Sequence, residues 1–181
     1  RVIHLKSDHL VEYDDPQQGV SDYLQEVNAS TEANTIDNLE RSKGLDPVIR
    51  KVEFFDRDDN RVNAVPTCGQ LRIRIHYRHD QPIPRPFFGI FFENQMGIRI
   101  FWCQTALQKG LLPDLPAAGA IECLVPRLPL IPGTYYLSFG CGSGRTQLDL
   151  VHRACKLTVQ EADVFGTGRL PKAEQGLIIV D

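Results

Sequence analysis

The sequence predicts an all-β protein: an immunoglobulin-like antiparallel β-sandwich, preceded by a short N-terminal helical and linker segment. From residue 47 onward, apolar and polar residues alternate with a period of two, which is typical of strands that bury one face. Roughly eight to ten such stretches follow one another at regular spacing without a strong helical pattern. The turn Pro132-Gly133 leads into Tyr135 and Leu137, an arrangement common where strands begin in immunoglobulin-like sandwiches.

The N-terminal residues differ from this pattern. Residues 2–5 can form a short strand, and Asp14-Asp15-Pro16 indicates the start of a helix, because acids and proline suit the first helical turn. Apolar residues at helical spacing extend that helix over residues 17–27. The following residues are polar, and we predict a linker over 28–46. Because the sequence does not begin with Met, we expect it to be a piece of a longer chain.

The clearest predicted strand covers residues 70–79. One side of it carries Leu71, Ile73, Ile75 and Tyr77, and the other carries Arg72, Arg74, His76 and Arg78. Such strict alternation indicates a strand with one buried face and one solvated face. An earlier strand is predicted over 48–56, followed by a turn at 57–60 and a short return strand at 62–65.

The remaining strands follow in order. Strands are predicted over 87–93 and 98–103, joined by a turn at 94–97, and a loop with one helical turn near 106–109 comes next. A strand over 119–125 leads through a proline-spaced connector to the Pro132-Gly133 turn. The strand from that turn and the strand ending at 159 are joined by a glycine-rich hairpin at 140–144. A polar loop at 163–174 precedes a last short strand at 176–180.

Composition excludes several classes of function. A net charge of −3 and a pI near 6.0 do not favour a nucleic-acid partner. No apolar run has the length of a transmembrane helix, and the N-terminus lacks the apolar core of a signal peptide. The five cysteines include no CxxC pair, so we interpret them as small buried residues in a reducing compartment. We expect no cofactor and no metal, because His76 has no second His or Cys at suitable spacing.

Several motifs together resemble one known family. They are, in order, Val52-Glu53-Phe54-Phe55-Asp56, Cys68-Gly69-Gln70-Leu71-Arg72-Ile73, Phe88-Gly89-Ile90-Phe91-Phe92-Glu93 with Met96-Gly97, Val125-Pro126-Arg127-Leu128-Pro129-Leu130, Pro132-Gly133-Thr134-Tyr135-Tyr136-Leu137, Asp163-Val164-Phe165-Gly166 and Gly176-Leu177-Ile178-Ile179-Val180. Over residues 47–181 the chain resembles the C-terminal domain of Wzt-type proteins, the nucleotide-binding subunits of ABC transporters that export O-antigen polysaccharide. Each motif is weak alone, and their order and spacing carry the resemblance.

The resemblance implies a function. The domain would be a non-catalytic, cytoplasmic carbohydrate-binding module at the inner face of the bacterial inner membrane. It would recognise the end-modified, non-reducing terminus of an O-antigen polysaccharide and license its export, with the transporter membrane subunit as a partner through the attached ATPase. Residues 1–27 would be the tail of that ATPase domain. No GxxxxGK[ST] motif occurs, so we do not expect this chain to hydrolyse ATP.

Four residues are candidates for glycan binding: Arg74, His76, Trp102 and Tyr136. Arginine and histidine can bond sugar hydroxyls or an acidic group, and aromatic rings can stack on a sugar. The alternative for Arg74 and His76 is a solvated sheet face, and the alternative for Trp102 is the core of the sandwich. If Tyr135 is buried, Tyr136 points outward. Arg99 would lie on the face opposite Trp102 unless a bulge intervenes.

Two other functions remain open. The domain could be a purely structural dimerisation domain of the transporter ATPase. It could also be a glycan-active enzyme using carboxylates such as Glu93, Glu122 and Asp149, although no motif brings two of them together. We further expect a homodimer in which residues 176–180 complete the partner's sheet, the alternative being that they dock on their own sheet.

Overall fold

The computed structural model describes residues 2–6, 9–14, 34–36, 39, 41–42, 44–108, 110–172 and 175–180, in two compact units, Arg1–Glu32 and Ala33–Asp181. In the first unit, strands β1 (Val2–Lys6) and β2 (His9–Tyr13) form an antiparallel hairpin. This confirms the predicted strand at 2–5. The helix predicted over 17–27 lies outside the described residues. No helix in the described part of the chain is both long enough and apolar enough to cross a membrane.

The second unit is a sandwich of two sheets, which confirms the predicted fold. The four-stranded sheet is antiparallel, with strands in the order β3 (Asn34–Thr35), β4 (Ile49–Phe55), β6 (Leu71–Arg78) and β9 (Ala118–Val125). The five-stranded sheet has the order β5 (Ala64–Pro66), β11 (Thr146–Gln160), β10 (Gly133–Ser143), β7 (Pro86–Glu93) and β8 (Arg99–Gln104). Its strands are antiparallel except for β5, which runs parallel to β11. A short helix, Thr105–Gln108, follows β8 where a helical turn was predicted.

The core lies between the two sheets and contains the apolar side of each alternating strand. Leu71, Ile73, Ile75 and Tyr77 of β6 are buried, as their period-two pattern predicts. The rings of Tyr77 and Phe88 meet across the core with centroids 5.6 Å apart. Tyr135 is also buried, and its hydroxyl donates a hydrogen bond to the carbonyl of Ile131 at 2.9 Å. This bond fastens the Pro132-Gly133 turn to the start of β10.

The hairpin predicted at 140–144 joins β10 to β11, but its turn is at residues 144–145, at the end of the glycine-rich stretch. Strand β10 continues through Ser143, so Gly140 and Gly142 pair with β7 and β11 inside the sheet. A Cβ atom on Gly142 would lie 2.3 Å from the Phe87 ring and 2.4 Å from the carbonyl oxygen of Thr146. Glycine is therefore required here by the close approach of neighbouring groups, not by a turn.

The expected linker over 28–46 also differs from the structure. Within it, β3 pairs with β4, and Ile36 is fully buried in the core. The Nε atom of Arg41 lies 3.0 Å from a carboxylate oxygen of Asp149, a fully buried residue more than 100 positions later. Residues 34–36 and Arg41 thus belong to the sandwich, because they find partners that are distant in sequence.

The C-terminal residues make a smaller contact than the predicted strand at 176–180. Ile178 forms a single bridge with Leu130, and the N–H of Ile179 donates to the carbonyl of Pro129 at 2.9 Å. Leu177, Ile178 and Val180 stay exposed. One bridge leaves most of the apolar surface of this segment uncovered.

Candidate functional site

The outer face of the five-stranded sheet carries aromatic side chains in rows that cross the strands. Trp102 of β8 pairs with Phe91 of β7, which in turn pairs with Ser138 of β10. Directly paired residues point to the same side of a sheet, so these three residues form one row. Trp102 is 53% exposed, and its position excludes the alternative of a core tryptophan. We call this side of the sheet the aromatic face.

A bulge brings Arg99 onto the aromatic face. Phe92 pairs with Phe101, and both side chains point toward the core. The next pair is Glu93 with Arg99, so Ile100 is an extra residue in β8. The bulge reverses the alternation and places Arg99 on the same side as Trp102. The guanidinium carbon of Arg99 lies 4.2 Å from the centre of the Phe91 ring. With strict alternation, Arg99 and Trp102 would lie on opposite faces of β8, and the sequence predicted that only a bulge would let them share one.

Beside this row lies a groove whose lining includes two paired glycines. Gly89 and Gly140 pair directly with each other, flanked by Gln104 on one strand and Leu150 on the other. The groove has a volume of about 250 Å³. Its lining residues are Phe87, Gly89, Phe91, Arg99, Gln104, Ser138, Gly140, Gln147, Leu150 and His152. Aromatic rings with amide, guanidinium and imidazole groups suit a ligand that has both flat apolar and hydroxylated surfaces.

Tyr136 lies on the same face under an arginine. Tyr136 pairs with Glu93, so it points outward as expected from the burial of Tyr135. The guanidinium carbon of Arg153 lies 3.7 Å from the centre of the Tyr136 ring. Tyr136 is consequently half-buried, and the surface that a ligand meets here is the guanidinium together with the ring edge.

Arg74 lies on the outer face of the other sheet. Its Nε and Nη2 atoms are each 2.7 Å from the same carboxylate oxygen of Glu122, and its guanidinium carbon lies 4.8 Å from the centre of the Phe55 ring. Arg72 also forms an ion pair with Glu122 and stacks on Phe55. Glu122 thus supplies a counter-charge to both Arg72 and Arg74.

His76 belongs to a cluster around Glu53 on that same outer face. The Nε2 atom of His76 lies 2.5 Å from Glu53, the Nζ atom of Lys51 lies 2.8 Å away, and Arg61 forms a further ion pair with it. Burial raises the pKa of Glu53, but the hydrogen bonds from Lys51 and His76 and the charge of Arg61 outweigh burial and leave the pKa below its usual value. The carboxylate therefore stays charged and holds Lys51, His76 and Arg61 together.

The four predicted binding residues thus separate into two pairs. Trp102 and Tyr136 share the aromatic face, whereas Arg74 and His76 lie on the outer face of the four-stranded sheet. Sequence reasoning missed Arg153, Gln104 and the two outward phenylalanines. The outward position of Phe87 and Phe91 was readable, because they alternate with the core-facing Phe88 and Phe92.

The carboxylates considered for an enzyme do not form a pair. Glu93 is on the aromatic face, and Glu122 is on the outer face of the other sheet. Asp149 is fully buried and accepts hydrogen bonds from the backbone N–H groups of Val48 and Ile49 at 2.9 and 2.8 Å. Its role is structural, so these three residues do not supply the acid and nucleophile or base of a glycosidase.

A second cavity, of about 460 Å³, lies between the edge strands of the two sheets. Ile75, Ile90, Cys103 and Cys123 contribute to its apolar lining. A hydrogen bond from Cys123 lowers the pKa of Cys103, and the same bond, together with burial, raises the pKa of Cys123. All five cysteines are free thiols in the structure.

Comparison with known proteins decides the family. The family model described as the Wzt C-terminal domain matches residues 40–171, which is most of the chain. The chain belongs to the Wzt C-terminal domain family. A solved structure described as the crystal structure of the C-terminal domain of wzt has the same fold, with a TM-score of 0.68 at 14% identity over 82% of this chain and 89% of the other. A search of curated proteins found no match.

Membership of the Wzt C-terminal domain family confirms the resemblance found in the sequence. It agrees with a non-catalytic domain of an O-antigen transporter. Within this Wzt-type sandwich, the aromatic face and the outer face of the four-stranded sheet are the two surfaces on which the predicted binding residues lie.

Proposed function

We propose that this domain is a carbohydrate-binding module that recognises the end-modified, non-reducing terminus of an O-antigen polysaccharide, and that it binds this terminus on the aromatic face. The observation that supports the proposal most is the groove beside Phe91 and Trp102. A sugar ring could lie against the outer face of Phe91 and Trp102, beside the groove that Gly89 and Gly140 help to line. The side-chain amide of Gln104 lines the same groove and can bond its hydroxyl groups, whereas the Gln147 amide nitrogen is bonded to the backbone carbonyls of Cys141 and Asp149.

In this proposal, binding is coupled to export. The domain is part of the ATP-binding subunit of an ABC transporter and acts at the cytoplasmic face of the inner membrane. The attached ATPase connects it to the membrane subunit. Recognition of a finished polysaccharide terminus would then license transport, without any chemical change to the glycan.

Trp102 provides a direct test, because it is the only tryptophan of the chain and lies on the aromatic face. Titration with O-polysaccharide from the source strain should change the tryptophan emission, whereas an unrelated polysaccharide should not. Retardation in a gel containing the same polysaccharide then measures how tightly each variant binds. Trp102→Ala should weaken binding about tenfold or more, as expected for the loss of an aromatic contact. Tyr136→Ala should weaken it as well.

Arg74→Ala and His76→Ala are the matched comparison, since both residues lie on the opposite sheet. If the aromatic face is the site, these two variants should bind within twofold of the parent. If they lose binding while Trp102→Ala retains it, the site lies on the four-stranded sheet. An absence of binding by the parent would favour the structural dimerisation domain, and release of sugar during incubation would favour an enzyme.

We also propose that the domain forms a homodimer in which residues 176–180 add to the partner's sheet. The support is the small contact that this segment makes in one chain, a single bridge from Ile178 to Leu130, together with the exposure of its apolar side chains. Pairing along a full strand would satisfy more backbone groups and cover Leu177 and Val180.

Deletion of residues 170–181 tests the exchange. The truncated chain should remain folded by circular dichroism and should have the mass of a monomer by light scattering, while the parent has the mass of a dimer. A truncated chain that is still a folded dimer would show that another surface holds the two copies together.

A further inference from the structure

Arg153 adopts a backbone conformation that is unusual for its position in the middle of a strand. Its φ angle is +46°, in the left-handed region that residues other than glycine rarely occupy. The cause is a bulge. Leu137 pairs with Cys155 and Phe139 with Val151, so the single residue Ser138 faces three residues of β11. The backbone N–H of Arg153 donates to the Ser138 hydroxyl at 2.9 Å, which holds the bulge in place.

The bulge places the Arg153 guanidinium over the Tyr136 ring on the aromatic face. It covers the Tyr136 ring at 3.7 Å, and its Nη1 atom lies 3.5 Å from the carbonyl oxygen of Asn94. Among the described residues, no carboxylate forms an ion pair with it. Stacking uses the flat side of a guanidinium and leaves most of the N–H groups on its edge for another partner.

The surroundings of Arg153 are positively charged on balance. Arg99 lies in the same row as Tyr136, and Lys156 pairs with Tyr136 on the other side. The one carboxylate of this row, Glu93, is buried, lies 4.0 Å from the Arg99 guanidinium and accepts a hydrogen bond from Ser138 at 3.4 Å. Arg99, Arg153 and Lys156 therefore share this surface with a single carboxylate, Glu93, which already contacts Arg99 and Ser138.

This contrasts with the arginines of the four-stranded sheet. Arg72 and Arg74 also stack on an aromatic ring, but both form ion pairs with Glu122. Stacking alone therefore does not explain why Arg153 has no carboxylate partner. Backbone strain that the surrounding contacts maintain, together with an unneutralised guanidinium on a candidate binding face, is typical of functional positions.

We propose that Arg153 selects saccharides carrying an acidic group, a carboxylate or a phosphate, by binding that group through the N–H edge of its guanidinium. This inference rests on the proposed function and adds the chemical class of the ligand. The planar fork of arginine matches the two oxygens of either anion, and the Tyr136 ring keeps the fork in one orientation.

The test removes the acidic group and the guanidinium separately and together. The probes are native O-polysaccharide from the source strain, the same polysaccharide after reduction of its carboxylates, and the same polysaccharide after removal of phosphate with hydrofluoric acid. The main variant is Arg153→Gly, because glycine accepts the positive φ angle and preserves the bulge. Arg153→Asn is a second variant that also tolerates this conformation. Arg57→Gln, in an exposed turn, removes one charge elsewhere.

The parent should bind native polysaccharide about tenfold or more tightly than one of the two stripped forms, as expected for a hydrogen bond to a charged group. Which form loses binding tells whether the group is a carboxylate or a phosphate. Arg153→Gly and Arg153→Asn should bind the native and stripped forms equally, at the level at which the parent binds the stripped form. Arg57→Gln should discriminate as the parent does.

Other outcomes overturn the assignment. If the parent binds native and stripped forms alike, the ligand has no recognised acidic group, and the carbohydrate-binding function itself still stands. If Arg153→Gly still discriminates and Arg99→Gln does not, Arg99 binds the anion instead. If Arg153→Gly weakens the native and stripped forms by the same factor, the role of Arg153 is only structural. No binding of any form by the parent refutes this inference and the proposed function together.

Discussion

Replacement of Arg41 by Met tests whether the segment before residue 47 is part of the folded domain. The Arg41 guanidinium forms an ion pair with Asp149 at 3.0 Å, without the alignment of a good hydrogen bond. It also donates to the carbonyl groups of Ile36 at 2.8 Å and Ile49 at 2.9 Å. Methionine retains the apolar stem of the side chain and removes these interactions, so the variant isolates the contribution of the charged end.

The expected decrease in the free energy of unfolding follows from the burial of Asp149. Removing one partner of a buried ion pair costs about 3–5 kcal/mol, because the other charge remains without compensation. Asp149 keeps its bonds from the backbone N–H groups of Val48 and Ile49, so we expect the lower end, about 3 kcal/mol. For a domain of this size, that loss should lower Tm by about 6–12 °C.

Urea unfolding followed by circular dichroism measures the loss, and Asp149→Asn completes a double-mutant cycle. Both backbone bonds to Asp149 end on the same oxygen, Oδ2, so asparagine can keep them and remove only the charge. The double variant Arg41→Met/Asp149→Asn should be more stable than the sum of the single changes predicts, by about 1–3 kcal/mol.

The reasoning would be refuted by a loss of less than about 1 kcal/mol for Arg41→Met, the size typical of a surface ion pair. Strict additivity in the cycle would also contradict it. Either result would mean that the residues around Arg41 behave as part of the linker that the sequence predicted over 28–46, and that the ion pair contributes little in solution.

Three further predictions concern the packing of the sandwich. Because the folded-state pKa of Glu53 is depressed, its stabilising contribution is present above the unfolded pKa of about 4.3 and is lost as pH falls through the folded value. The stability difference between the parent and Glu53→Gln should therefore shrink below about pH 4.3 in acid unfolding. Gly142→Ala should cost about 1–3 kcal/mol in urea unfolding, because the added methyl group would meet the Phe87 ring and a backbone oxygen. The Cys103 thiol, whose pKa is about 7, should react with iodoacetamide faster at neutral pH in the parent than in Cys123→Ala.

Each of these has a contrary result. An acid dependence unchanged in Glu53→Gln would mean that the cluster around it does not hold the carboxylate in its charged form. A Gly142→Ala variant as stable as the parent would show that β7 and β10 are farther apart than described. Equal alkylation rates in the parent and Cys123→Ala would show that a hydrogen bond from Cys123 does not lower the pKa of the Cys103 thiol.

Local patterns in the sequence determined the strands and the turn that starts β10. The alternation in residues 70–79 predicted which side of β6 is buried, because side chains in a strand point alternately to its two faces. The Pro132-Gly133 turn and the burial of Tyr135 were equally readable, since they depend on neighbouring residues. The order of such motifs was also sufficient for the family.

Tertiary structure decided which of these residues share a surface. Arg99 and Arg153 reach the aromatic face only because bulges interrupt the alternation of β8 and β11, and a bulge depends on how two strands pair. Arg74 and Trp102 both point outward from their strands, yet the topology assigns those strands to different sheets. Arg41 looked like a linker residue because its partner, Asp149, is more than 100 positions away. Alternation in the sequence tells which face of its own strand a residue occupies. A binding surface depends on which strands pair with one another, and those strands come together only when the chain folds.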